Sequence, residues 1–136
     1  MDKIDYAAMF TIVGCDGACS LQVRKGGWAC FDGEEIHSGS LIDCTNNQAE
    51  YQGLISLLEI LTAKPKPEKP YMILMDSELV VNQILGSFKV KNAALRPFYQ
   101  KAKTLYDSLG AHIMWVSRNH ELLERLDVHA KNAKNL

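Results

Sequence analysis

No stretch of this sequence stays apolar for anything near the roughly 18 residues that cross a membrane, and its opening, M-D-K-I-D-Y, is acidic where a secretory signal would be basic and then apolar. A cytoplasmic protein with no membrane partner is therefore expected. Excess positive charge is missing too, since 15 Lys and Arg against 16 Asp and Glu leave a net charge of −1. That excludes a global attraction to nucleic acid, so a polyanion would need a local patch. The 4 cysteines include no C-x-x-C pair and no histidine at zinc-finger spacing, which argues against a structural zinc module and leaves buried free thiols. Internal repeats are absent, and proline is rare outside K-P-K-P-E-K-P at 64–70, which reads as an exposed connector.

What is present suits one globular domain over residues 1–136, because a chain of that length with 47% hydrophobic residues can bury a sizeable core. Tyr6 to Gly14 is an apolar run of strand length that meets a turn signal at Asp16-Gly17. Two further strands, Lys25 to Phe31 and Glu35 to Ile42, flank Asp32-Gly33, a pair that favours a tight hairpin. Thr45 or Asn46 can cap a helix whose Leu54, Ile55, Leu57, Leu58 and Leu61 recur at helical spacing. Tyr71 to Met75 is a fourth strand, and Ser77 can cap a helix that Gly86 ends. A basic loop at Lys89 to Asn92, a helix at Ala94 to Leu109, a strand at Ala111 to Val116 and a helix at Leu122 to Ala133 complete the chain. This order predicts an α/β fold with a mixed sheet, antiparallel first and parallel after the first helix. Trp28 and Trp115 read as core anchors, His129 as surface, and His37 and His112 carry no assigned role.

A strand, crossover helix and parallel strand put both strand ends at one edge of a sheet. Asp16 at the end of the first strand and Asp76 at the end of the fourth would then be neighbours, with Glu50 near the start of the intervening helix. Singly, such residues are commonly turn, cap or dipole residues. Together they would repel unless a cation sits among them, and hard oxygen donors suit Mg²⁺ or Mn²⁺. Two ions roughly 4 Å apart could drive phosphodiester hydrolysis without a covalent nucleophile.

Four blocks, G-C-D-G-A at Gly14 to Ala18, T-N-N-Q-A-E-Y at Thr45 to Tyr51, M-D-S-E-L-V-V-N-Q-I at Met75 to Ile84, and W-V-S-R at Trp115 to Arg118 with a following Asp127, resemble ribonuclease H of type 1. The match is to its compact reverse-transcriptase-like branch. The resemblance implies the RNase H-like fold, a five-stranded mixed sheet flanked by helices, and two Mg²⁺ or Mn²⁺ ions held by Asp16, Glu50, Asp76 and Asp127. It implies cleavage of the RNA strand of an RNA/DNA hybrid, leaving 5′-phosphate and 3′-hydroxyl ends, by a monomer without an organic cofactor. Gly17, Asn46, Asn47 and Gln48 match the loop positions that contact the RNA strand, where 2′-hydroxyls can be recognised. Ser77 would contact the DNA strand or cap its helix. His120 matches the family's loop histidine, which assists proton transfer or product departure, or it is an exposed loop residue. Lys89 and Lys91, with Arg96, Lys101 and Lys103, are candidates for phosphate contact or a solvated face.

Two departures stand out. The family's glycine-rich turn after the first Asp is replaced by S-L-Q-V-R-K at Ser20 to Lys25, and Asp127 follows Trp115 by a longer gap than the compact branch uses. They keep two alternatives open: a catalytically silent nucleic-acid-binding module, separable by metal titration, and a DNA-directed nuclease, separable by removing the substrate's 2′-hydroxyls.

Overall fold

The computed structural model describes residues 5–135. Its elements run α1 (Tyr6–Met9), β1 (Thr11–Ser20), β2 (Lys25–Phe31), β3 (Ile36–Ile42), α2 (Asn46–Ala63), β4 (Tyr71–Met75), α3 (Glu78–Leu85), α4 (Arg96–Leu109), β5 (His112–Trp115) and α5 (Glu121–Lys134). The five strands form one sheet in the order β3-β2-β1-β4-β5. β1, β2 and β3 pair antiparallel, whereas β1 with β4 and β4 with β5 are parallel, as the order of elements requires.

The chain begins differently from its apolar pattern. Tyr6–Met9 is a single helical turn, not the start of a strand, because Asp5 caps it by accepting from the Ala8 amide at 3.3 Å and Phe10 then turns the backbone extended. β1 also does not stop at Asp16. Its pairing with β4 ends at Gly14–Leu74, but its antiparallel pairing with β2 carries on to Ser20–Lys25. The turn falls after Ser20, where Arg24 takes a positive φ of 50°. Between β2 and β3 the loop is longer than a two-residue turn, spanning Asp32 to Glu35, with Gly33 at φ 100° and the Asp32 amide bonded to the Glu35 carbonyl at 3.1 Å.

Strand alternation sorts the core onto two faces. Val13, Cys15, Tyr71, Ile73 and Met75 face α2, α3 and α4, whose buried residues include Leu54, Leu58, Ile84 and Ala102. Met72 and Leu74 face the opposite way, onto Leu123 of α5 and Tyr6 of α1. Each fully buried Leu contributes about 2 kcal/mol of transfer free energy, so α2 supplies much of the first core.

α2 starts sharply because Thr45 accepts from the Gln48 amide at 3.2 Å while Gln48 Oε1 accepts from the Thr45 amide at 3.0 Å, a reciprocal capping box. It ends at Lys64, before the prolines. Tyr51 is fully buried one residue after Glu50, and its hydroxyl donates to Gln83 Oε1 of α3 at 2.6 Å, fixing the start of α2 against its neighbour.

Candidate active site

The parallel ladder between β1 and β4 ends at Gly14 and Leu74, so Asp16 and Asp76 each lie two residues past its last pair, at the same edge. Glu50 arrives from α2. The approach is possible only because two glycines each face the backbone of the other element: a Cβ on Gly17 of β1 would run into the Ala49 carbonyl and the Glu50 amide of α2. One on Gly53 would lie 2.7 Å from the Asp16 carbonyl. With both side chains absent, the Gly17 amide donates to Glu50 Oε1 at 2.6 Å.

The result is a cluster in which carboxylate oxygens of Asp16, Glu50 and Asp76 all lie within 4.8 Å of one another. Asp16 is 4% exposed and Glu50 9%. Burial, and then the charge of Asp76, push the Asp16 carboxyl up to about 7. Glu50 is raised well above the ordinary range by burial and by the charges of Asp16 and Asp76. Asp76 is raised by burial, with the Arg118 guanidinium pulling it back. Three mutually repelling, desolvated carboxylates are a donor set that a hard divalent cation fits, since a cation lets all three ionise together.

These residues line a cavity of about 520 Å³ together with Gly17, Ala18, Asn46, Asn47, Arg118, Asn119, Glu124, Asp127 and Lys131. Asp127 thus joins the cavity from α5, half-buried, with its carboxylate paired to Lys131 one turn on at 2.9 Å. Arg118, Glu124 and Lys131 were not singled out by the sequence reading as site residues. A usable signal existed for two of them: Glu124 and Lys131 stand three before and four after Asp127, the spacings that share a helix face.

Other sequence candidates have local partners. Asn46 Oδ1 accepts from the Cys19 amide at 2.8 Å, tying α2 to β1, while Asn47 stands exposed at the cavity wall. Gln48 is engaged in the capping box. Ser77 caps α3 by accepting from the Val80 amide at 3.2 Å, which leaves its own hydroxyl proton to donate. His120 caps α5, its Nδ1 accepting from the Leu122 amide at 3.1 Å, so a neutral ring carries its proton on Nε2. Its loop neighbours Arg118 and Asn119 line the cavity, and His120 does not.

Lys89 and Arg96 line a separate depression of about 340 Å³ with Phe88 and Tyr99, and Lys91 is exposed nearby in sequence. Lys101 pairs with Glu59 at 3.8 Å and Lys103 with Asp107 at 2.9 Å, as on a solvated helix face. Trp28 packs against the main core as expected, but Trp115 is 49% exposed. It anchors through its polar edge instead: the indole N–H donates to the Asp76 carbonyl at 3.1 Å, bracing the backbone of a cluster residue. His37, given no role by the sequence, holds Asp32 Oδ2 at 2.8 Å.

All four cysteines are free and buried. Among the described residues, no helix is long and apolar enough to cross a membrane.

Comparison with known proteins agrees with this architecture. The N-terminal RNase H domain of rv2228c from Mycobacterium tuberculosis, solved as a fusion with maltose binding protein, superposes with a TM-score of 0.77 at 28% identity, covering 91% of this chain and 92% of that one. In sequence, the bifunctional protein Rv2228c of Mycobacterium tuberculosis is 44% identical over 61 residues, a match that covers 45% of this chain and spans only 16% of that protein's length. A ribonuclease H of Tropheryma whipplei is 28% identical over 138 aligned positions, covering 91% of this chain and 84% of that protein. LC11-RNase H1, solved in complex with an RNA/DNA hybrid, gives a TM-score of 0.75 at 26% identity, over 91% of this chain and 96% of that one. The RNase H family's sequence model matches residues 9–133, which takes in every strand and the whole cavity wall, and the chain belongs to the RNase H family.

Proposed function

We propose that this chain is a metal-dependent endoribonuclease that hydrolyses the RNA strand of RNA/DNA hybrids and leaves 5′-phosphate and 3′-hydroxyl ends. The observation that carries this reading is the cluster of buried Asp16 and Glu50 with half-buried Asp76, whose raised pKa values mark an electrostatic conflict that a divalent cation relieves. Asp16, Glu50 and Asp76, with Asp127 from α5, would hold two Mg²⁺ or Mn²⁺ ions. When bound, such ions supply activation of water and neutralisation of charge at phosphorus.

The chain's own residues position the parts. The Gly17 amide aims Glu50 into the cluster, and the Trp115 indole braces Asp76 from behind. Arg118 at the rim favours the ionised form of Asp76 and offers a planar donor fork to a phosphate. Asn46 keeps its amide donors for substrate, because its oxygen is already held by Cys19. With Asn47 and Gly17 it forms the wall where 2′-hydroxyls would be recognised, and Gln48 adds its own amide donors from the first turn of α2. Ser77 donates its hydroxyl toward the DNA strand, and His120 serves proton transfer or product departure through Nε2. Lys89 and Lys91 contact phosphates without reading sequence, so hybrid binding weakens as salt rises.

A hybrid-bound solved neighbour supports the choice of substrate. We take the chain to act as a monomer, and four free thiols suit a reducing cytoplasm. The deciding experiment is a labelled RNA/DNA duplex incubated with Mg²⁺ or Mn²⁺. Cleavage by the wild type and its loss in Asp76→Asn are expected, with no cleavage of an all-DNA duplex. A wild type that leaves the hybrid intact, or an Asp76→Asn variant that cuts as well, overturns the reading.

A further inference from the structure

Cys19 lies on β1 and Cys44 in the segment between β3 and α2, 25 residues apart in sequence, yet their sulfurs meet in a small buried pocket. The Cys44 thiol donates to Cys19 Sγ at 2.8 Å, and the Cys19 thiol donates to the Cys44 carbonyl at 2.8 Å. Ala49 and Leu41 pack around them. The backbone on both sides is pinned. Gly26, paired with Cys19 across β1 and β2, sits so close that a Cβ there would be 2.5 Å from Cys44 Sγ. On the other side, the Cys19 amide holds Asn46 two residues after Cys44. Neither thiol can drift far from the other without breaking these contacts.

We propose that Cys19 and Cys44 are a redox-modification site, which hydrogen peroxide closes into a reversible disulfide tying β1 to the entrance of α2. The chemistry balances in two steps. One thiolate sulfur attacks the peroxide O–O bond, forming a sulfenic acid, and the leaving hydroxide takes the thiol proton away as water. The second sulfur then attacks the sulfenic sulfur, the S–S bond forms, and the displaced hydroxide leaves with the second thiol proton as another water. Two thiols lose two electrons and one peroxide gains them. Bond formation needs the sulfurs to close from 2.8 Å to about 2.05 Å, a shift of under about 1 Å. Because both thiols are buried, the reaction waits on local opening and is slow.

Cys15 and Cys30 give the comparison inside the same molecule, since they are directly opposite on β1 and β2 and fully buried. The test treats the whole folded chain with hydrogen peroxide, alkylates the remaining thiols and maps the peptides. Expected are loss of two thiols, a peptide pair joined at Cys19 and Cys44, a thermal midpoint raised by roughly 5–10 °C from the cross-linked loop, and reversal by dithiothreitol. Cys44→Ser and Cys19→Ser, checked for native circular dichroism, should form no intramolecular bridge. Four thiols still alkylated after peroxide, a bridge mapped to Cys15 and Cys30, or disulfide-linked dimers in place of the intramolecular bond would overturn the assignment. The peptide map of the unmutated chain decides the matter even if a variant does not fold, and no readout depends on nuclease activity.

Discussion

Asp16 and Asp32 are buried to nearly the same depth, 4% and 3% exposed, and each sits in a group of three side chains that could hold a cation. Their surroundings are opposite. Asp32 accepts from the Glu34 and Glu35 amides at 2.8 and 2.9 Å, from His37 at 2.8 Å, and pairs with Lys64 at 3.2 Å. Burial alone would raise its pKa, but these donors, led by the Glu35 amide, hold it well below the usual carboxylate range. Asp16 instead faces Glu50 and Asp76, and is pushed up to about 7 by burial and the Asp76 charge. One buried carboxylate is satisfied by the protein, while the other has its conflict left in place. A buried acid already neutralised by the fold has a structural job, and one the fold leaves in conflict is available for a ligand.

The sharpest way to break this contrast is substitution at the two clusters. Asp76→Asn should lower hybrid cleavage by about 10³-fold or more, since several kcal/mol of charge stabilisation are lost, while its metal-free thermal midpoint does not fall. Asp32→Asn should leave cleavage within a few-fold of the wild type. Equal loss in both would erase the distinction.

Metal and pH test the same contrast next. Mg²⁺ or Mn²⁺ at about one hundred times Kd should stabilise the wild type by about 2.7 kcal/mol, reversed by chelation and lost in Asp16→Asn. In the metal-free chain, the folded Asp16 pKa of about 7 exceeds its ordinary 3.8, so the folded state binds the extra proton between those values. The Asp16 contribution therefore falls as pH rises from about 4 to about 7 and is flat above. Metal requires the ionised form, so affinity and cleavage should increase with pH across that window. Asp32 has the reverse sign, with its stabilisation present above its ordinary 3.8 and lost as pH falls below it. Melting curves across pH, with and without metal, separate the two.

A smaller effect is expected from removing the charge of Asp32. Asp32→Asn should cost about 2 kcal/mol, because a charged acceptor of several hydrogen bonds is replaced by a neutral one, as measured by urea unfolding at neutral pH. Smallest of all, Thr45→Ala should cost about 1 kcal/mol by opening the capping box of α2, with cleavage reduced only in proportion to unfolding.

Much of this site was legible beforehand because its signals are local. Thr45 and Ser77 announce their helices, the prolines at 65, 67 and 70 end α2 and isolate β4, and the blocks around Asp16, Glu50 and Asp76 carry their residues to one edge once the strand order is known. Tyr6 to Phe10 misled because an apolar run of that length suits a strand or a helical turn equally, and the Asp5 cap decided it. Asp32 and Asp16 share a local pattern, an aspartate followed by glycine after an apolar segment, and only strand order and the block around Asp16 set that residue apart.

By itself, then, the sequence determined the elements after the first helical turn, their order and the carboxylates at the ends of the β1–β4 ladder, because caps, breakers and hydrophobic period act between near neighbours. Only the tertiary structure decided that Asp32 meets Lys64 and His37, that Trp115 braces Asp76 with an exposed ring, and that Arg118, Glu124 and Lys131 share the cavity. Those partnerships join residues from separate elements or depend on where an element lies, and sheet register and helix packing fix them through backbone approaches as close as that of Gly17 to α2.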